Sequence, residues 1–448
     1  MDYHITVCLA AHNEQSLLTP TLRSLARAAE HSARMALTVQ LILTLDRSDI
    51  YTTAIAETFN YSAFANVHIV HVNYGDLGES RNAAIELANG AYIATADADD
   101  LISEAYFTNM YVLASSLRAN EFVIFPNYLI TFGSTTQIEH FARPTLTTFA
   151  RLLTQHLFTS RIFAPTKLLQ RVPYTSVKLP SGSYAYEDWH LTSSLYIRQI
   201  PFHIASQTVL FYRIHNASQM HKAQTTSVRD APPQLLTLPE IYLAHGIHSS
   251  LRNLATYFTP TPTHHNISAS DKTFLRTETE AAHNLEPLIL PSSYSYKLAQ
   301  SNLARGSIEA GIAHLHLCYT LGCRTYSTLI FLDATCIPYL SSLTSLLQNQ
   351  LTLSPHISST LLLPIDKPSL LALTNDIYNQ ISIYPLSLFH ASLSQDLFHL
   401  ALIRLIQAYG TEATLYFPAS HILQSFLQRF LPALTNNPLR QCGDWGPE

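Results

Sequence analysis

Residues 1–130 alternate short apolar runs with segments of helical spacing, and few folds accept that pattern. Ile5–Ala10, Val39–Leu45, Val67–Val72, Ala91–Ala96 and Glu121–Phe125 read as strands. Between them, Leu17–Ala29, Thr52–Phe59, Ser80–Asn89 and Glu104–Leu117 read as helices. In the first helix Leu18, Leu22, Leu25 and Ala29 share one face. Ser80 is the expected N-cap of the third helix and Gly90 its C-terminal stop. Repeated β-α units need crossover connections, so the predicted class is α/β, a mostly parallel sheet with helices on both faces.

Polar clusters then fall in a pattern. His12-Asn13-Glu14 follows the first strand, Asp46-Arg47-Ser48-Asp49 the second, and Asp97-Ala98-Asp99-Asp100 the fourth. All lie at C-terminal strand ends, where open α/β sheets bind ligands. Three carboxylates within 97–100 repel one another, and a cation or a pKa shift must offset that. A hard divalent metal holding a diphosphate is the economical explanation, against a solvated Asp-rich turn. Neither Gly-x-x-x-x-Gly-Lys-Ser/Thr nor Gly-x-Gly-x-x-Gly occurs among the 12 glycines. Gly75-Asp76-Leu77-Gly78 reads as a loop. If phosphate is bound, metal and arginine side chains must hold it.

Bulk properties narrow the class further. With 47% hydrophobic residues, the 448-residue chain can fill two or three cores. A net charge of −5 without a basic block argues against nucleic acid as a partner. The 22 histidines are scattered and form no His-Glu-x-x-His pair. The five cysteines have irregular spacing, and Cys318 and Cys323 lack a second pair to complete a metal site, so free thiols in a reducing compartment are expected. No apolar run reaches the roughly 18 residues that span a bilayer. Met1-Asp2-Tyr3-His4 lacks the features of a signal peptide. A cytoplasmic location is expected, with peripheral contact at the inner face of a membrane left open.

Beyond residue 130 the alternation breaks. Residues 131–222 carry Pro144, Pro165, Pro173, Pro180 and Pro201, the run Tyr184-Ala185-Tyr186-Glu187-Asp188-Trp189-His190 before an apolar helix, and Val209–Asn216. Ala223–Pro239 reads as a linker, and 240–325 as mainly helical. From 326 the β-α pattern resumes, with strands expected at Ser327–Asp333, Ser358–Pro364, Ile381–Tyr384 and Thr414–Phe417. Three regions result: 1–222, 223–325 and a smaller α/β unit at 326–448.

Six pieces, in order, resemble the inverting family 2 of GT-A glycosyltransferases over residues 3 to about 222. They are Ile5–Glu14, Asp46 with Asp49, Gly78-Glu79-Ser80-Arg81-Asn82-Ala83-Ala84, Asp97-Ala98-Asp99-Asp100, Glu187-Asp188 and Tyr212–Ser218. The resemblance implies a Rossmann-like nucleotide-sugar-binding domain that moves a sugar from a nucleoside diphosphate donor, a UDP-sugar by preference, to a hydroxyl on a glycan, lipid-linked glycan or protein, in glycan or surface-polysaccharide biosynthesis. Ala11 and Glu14 would line the base and ribose pocket, Asp46 would bond the base or ribose, and Arg81 would sit near the nucleotide. Asp97 would face ribose and metal-bound water, and Asp99 would ligate Mn2+ or Mg2+, with His215 as a candidate further ligand. Asp100 would lie near the sugar or the metal shell. Asp188, beside Glu187, would be the general base. Trp189 would stack on a sugar ring or belong to the core.

Two departures qualify the resemblance. The Gln-x-x-Arg-Trp motif of processive members is absent, which favours the addition of one or a few sugars. Ala10-Ala11-His12-Asn13 stands where the family more often has a proline-containing turn. Residues 326–448 faintly resemble half of a GT-B glycosyltransferase, and an acceptor-binding or docking role is expected there. Asp333, after the strand that opens this unit, reads as structural. The rival reading of the whole chain is a non-catalytic nucleotide-sugar-binding scaffold of a glycan assembly complex.

Overall fold

The computed structural model describes residues 2–141, 152, 156–176, 186–214 and 267–296, and then 326–341, 343, 345, 360–373, 382–384, 386, 395–410, 412–434 and 436–441. Its larger sheet comprises β1 (Tyr3–Ala11), β2 (Val39–Asp46), β3 (Asn66–Val72), β4 (Gly90–Asp97), β5 (Leu101–Ile102), β6 (Val123–Gly133), β7 (Ile138–His140), β8 (Phe163–Pro165) and β9 (Phe202–Ile214). The spatial order is β3-β2-β1-β4-β8-β6-β9-β5, with β7 beside β6. The first four strands are parallel. β8 runs antiparallel between β4 and β6.

Side-chain alternation explains why both faces are covered. Ile5, Val7, Leu9, Leu41 and Leu43 pack with Leu18, Leu22 and Leu25 of α1 (Leu18–Ala33), and with Phe107 and Met110 of the Tyr106–Ser116 helix. Cys8, Ile42 and Ile93 point the other way, into a cluster with Ala84 and Ile85. Each fully buried Leu or Ile in these layers contributes about 1.5–3 kcal/mol.

The predicted helix at 80–89 instead spans Leu77–Leu87, because the Asp76 carboxylate accepts a hydrogen bond from Glu79 N (3.0 Å) and caps it. Ser80 lies one turn inside. Gly90 is not the helix stop but the first residue of β4. A Cβ there would come within 2.6 Å of Thr6 N, so close approach of two strands, not a left-handed turn, requires glycine. The strand predicted at 121–125 continues through Pro126 to Gly133, with a register shift between Pro126 and Tyr128.

Residues 267–296 belong to this first unit. The helix Ala269–His283 and the segment after it bury Leu275, Ile289 and Tyr294 against Tyr128, Ile130, Phe132 and Phe211. Tyr294 Oη donates to Thr131 O (3.0 Å).

The second sheet joins β10 (Thr328–Leu332), β11 (Thr360–Pro364), β12 (Ser382–Ile383), β13 (Thr414–Phe417) and β14 (Leu439–Gln441), all parallel, in the order β12-β11-β10-β13-β14. Leu329–Leu332 and Leu361–Leu363 are continuous buried runs, as a sheet covered on both faces requires. β14 is short, exposed and polar, which is why no strand signal marks it. Asp333 caps the next turn by accepting from Thr335 N (3.0 Å), the structural role read from the sequence.

Candidate active site

Parallel register brings the polar clusters to one sheet edge. Ala10 pairs with Asp97, Ala11 with Leu45, and Asp46 with Val72. Three carboxylate-bearing turns, the first and last more than 80 residues apart in sequence, therefore share the C-terminal rim of β1, β2 and β4.

Asp46 is buried, and protein donors occupy both its oxygens. Oδ1 accepts from Tyr74 N and Gly75 N (both 2.9 Å), and Oδ2 from Asp76 N (3.2 Å) and Ser80 Oγ (2.7 Å). A carboxylate offers about four lone-pair sites, so this set is full. The side chain organises the loop before the 77–87 helix, and that loop faces the rim. Burial would raise its pKa, but the Gly75, Ser80, Asp76 and Tyr74 donors hold it below the usual range. A depressed native pKa stabilises the fold above the unfolded value near ~3.9 and loses that stabilisation as pH falls. Asp46→Ala should therefore destabilise the first unit by about 3 kcal/mol at neutral pH. Urea titrations of both proteins should show that difference shrinking as pH falls below about 4.

Around the first turn, Glu14 Oε2 accepts from His12 N (2.6 Å), and His12 Nδ1 bonds Asp46 O (2.5 Å). Asn13 Oδ1 accepts from Asp49 N (2.8 Å), and Asp49 caps the Ile50–Thr58 helix through Thr52 N (2.7 Å). Burial pushes the Glu14 carboxyl up to about 7, and Asp99 adds to the rise. Ala11 is buried at the base of this turn.

The Asp97–Asp100 cluster is discharged largely by arginines. Arg81 is 1% exposed and donates through Nη2 to Asp97 Oδ1 (2.7 Å) and through Nη1 to Glu187 Oε1 (2.6 Å). Arg161 bridges Asp97 Oδ2 (2.5 Å) and Asp100 Oδ2. Asp100 Oδ1 accepts from Arg213 N (2.9 Å), and Arg213 Nε donates to Asp99 O (3.0 Å). Burial would raise the Asp97 carboxyl, but Arg161 and Arg81 together hold it below the usual range. Asp100 sits behind the rim in this network, buried and bonded through both oxygens. Among the described residues no three metal-ligating side chains converge. Asp97 gives one contact from each oxygen to the Arg81 and Arg161 guanidiniums and keeps a 23% exposed side chain. His215 lies outside the described residues.

Glu187 and Asp188 open the helix Glu187–Ile197, where carboxylates complement the dipole. Burial pushes Glu187 up to about 7; Arg81 opposes the rise and Asp188 adds to it. Burial would also raise Asp188, but His156 and Arg81 hold it well below the usual carboxylate range. Trp189 is 6% exposed, donates from Nε1 to Leu152 O (3.0 Å) and belongs to the core. Of its two sequence readings, the structure takes the core one.

Glu187, Arg81, Asp97, Arg161 and Asp100 thus form one continuous ionic chain. Around it, Arg161, Arg213 and His156 are the site residues that sequence reading did not single out. Arg161 reaches the site because Thr95 pairs with the segment before β8, accepting from Ile162 N at Oγ1 (2.9 Å) and donating from Oγ1 to Ser160 O (2.9 Å). No local motif signals that pairing. Arg213 lay in the quoted Tyr-Arg-Ile-His-Asn run, which was the available hint.

A parallel α/β platform with this carboxylate and arginine edge is the architecture of a GT-A transferase domain. Residues 6–175 match the model of glycosyl transferase family 2. Among solved structures, S. aureus TarS 1–349 in complex with UDP-GlcNAc is similar at 14% identity, covering 70% of this chain and 81% of that chain with a TM-score of 0.39. S. aureus TarS is similar at 15% identity, covering 72% of this chain and 56% of that chain with a TM-score of 0.37. No curated protein matches the chain. No helix among the described residues is long and apolar enough to cross a membrane.

Proposed function

We propose that this enzyme transfers a sugar, with inversion, from a nucleoside diphosphate sugar, preferably a UDP-sugar, to a hydroxyl of a glycan, lipid-linked glycan or protein in glycan or surface-polysaccharide biosynthesis. The observation that carries this reading is the ionic chain from Asp97 through Arg81 to Glu187, which ties the donor edge of the sheet to the helix bearing Asp188. Asp188 takes the proton of the acceptor hydroxyl as that oxygen attacks the anomeric carbon from the face opposite the leaving group. The bond from that carbon to the diphosphate breaks, and its electron pair leaves on the diphosphate. Ala11 and Glu14 would line the nucleotide pocket, shaped by the loop that Asp46 holds.

The family often uses a divalent ion, and Asp99 with Asp97 and His215 would be its ligands here; when bound, Mn2+ or Mg2+ would take up charge on the departing diphosphate. The described residues do not assemble that set, and the steps above do not pass through it. Release of nucleoside diphosphate from a panel of UDP- and GDP-sugars tests the reading. Chelation with EDTA should abolish turnover and Mn2+ restore it, and Asp99→Ala should lose turnover while keeping the wild-type melting temperature. Full turnover in EDTA would remove the metal from the account and leave the transfer reading standing. Calorimetric binding of UDP without turnover of any donor would favour the scaffold reading instead.

A further inference from the structure

The face of the 187–197 helix that presents Asp188 also grips an imidazole from elsewhere in the chain. His156 Nδ1 lies 3.3 Å from Asp188 Oδ2, while Asp188 Oδ1 accepts from Trp189 N (2.6 Å). His156 Nε2 lies 3.4 Å from Thr192 Oγ1, one turn further along. The ring is nearly parallel to the Trp189 indole, at 14° with centroids 6.5 Å apart. Trp189 in turn holds the segment that leads to His156, through Leu152 O. The two side chains are 16% and 22% exposed, so the pair is mostly enclosed and keeps a solvent-facing edge. With its proton on Nδ1, the ring donates to Asp188 and accepts from the Thr192 hydroxyl at Nε2.

We propose that His156 is a positioning residue whose imidazole holds the Asp188 carboxylate in place to receive the acceptor proton. This rests on the reading of Asp188 as the base. The acceptor O–H bond breaks, its proton goes to Asp188, and His156 keeps its own proton throughout. The carboxylate's other charged or titratable neighbours are Arg81, Glu187, Tyr174 and Tyr186, and Arg429 lies near Tyr186. None of them replaces the Nδ1 contact. Removing the imidazole should both loosen the carboxylate and raise its pKa, because the neighbour that most favours its ionised form is lost.

The test uses the full chain with UDP-glucose, UDP-galactose, UDP-N-acetylglucosamine and GDP-mannose as donors, following released nucleoside diphosphate from about pH 5 to pH 9. His156→Ala should lower kcat about 10- to 100-fold with donor KM unchanged. His156→Asn, whose amide can donate from the Nδ1 position, should recover most of kcat. Wild-type kcat in His156→Ala would overturn the proposal. Asp188→Asn separates the two readings. If it is inactive while His156→Ala is normal, only the role of His156 fails; if it is fully active, the base reading fails first. Imidazole NMR needs no turnover, with the His156 signal assigned by its loss in His156→Asn. Asp188→Asn should move the His156 ring resonances, because the carboxylate 3.3 Å from Nδ1 is gone, and an unchanged imidazole spectrum would contradict the pairing.

Discussion

Asp188→Asn should reduce sugar transfer by about 10²- to 10⁴-fold, the usual contribution of a positioned general base, with little change in donor KM. The amide preserves the shape of the side chain and can still accept from Trp189 N, so the 187–197 helix should keep its start. What disappears is the negative charge that makes the group a proton acceptor. The wild-type carboxylate is held well below its usual range, so it is ionised at neutral pH. Loss of activity in the variant is therefore a loss of chemistry, and an unchanged melting temperature beside the lost turnover would confirm it. Near-wild-type kcat in this variant would remove Asp188 from the mechanism.

The largest effect on stability should come from Arg81→Ala. This guanidinium is enclosed, joins Asp97 to Glu187, and lies over the Tyr174 ring at 5.2 Å. Truncation leaves two carboxylates facing a cavity without their shared cation. Breaking a buried pair by removing one partner costs about 3–5 kcal/mol, because the remaining charge is uncompensated. Denaturant unfolding of the first unit should show a loss of that size. Arg81→Lys should recover only part of it, since one ammonium cannot donate in a planar fork to two carboxylates. A loss below about 1 kcal/mol would mean the ion chain is solvated and does not fasten the site.

Much of this architecture was legible in the sequence because strand and helix periodicity is local. The runs at 5–10, 39–45, 67–72 and 91–96 announce themselves, and parallel pairing then forces Glu14, Asp46 and Asp97 onto one rim. Boundaries were less legible where two caps compete. Ser80 has the chemistry of an N-cap, but Asp76 sits earlier and takes the role, while the Ser80 hydroxyl turns to Asp46. Asp46 itself read as a ligand-binding acid, yet the loop at 74–80 fills its bonding capacity. Nothing near residue 46 encodes that, because the donors come from a turn 28 to 34 residues away.

Long-range charge pairing was the least legible part. The carboxylates of Asp97 and Asp100 suggested a metal because their repulsion needs a cation, and the physical premise was sound. The cations that the fold supplies are Arg81 and Arg161, one from a helix and one from the segment entering an antiparallel strand. A sequence with 26 lysines and arginines gives no means to pick those two. Similarly, His156 is one of 22 histidines, and only the tertiary contact with Asp188 distinguishes it.

Direct displacement at the anomeric carbon leaves a stereochemical record. The decisive measurement is proton NMR of the sugar freshly released when the enzyme hydrolyses an α-linked nucleotide sugar such as UDP-α-glucose, recorded before mutarotation. The β-anomer should appear first, and its formation should vanish in Asp188→Asn. First appearance of the α-anomer, or release that persists without the Asp188 carboxylate, would contradict displacement assisted by this base.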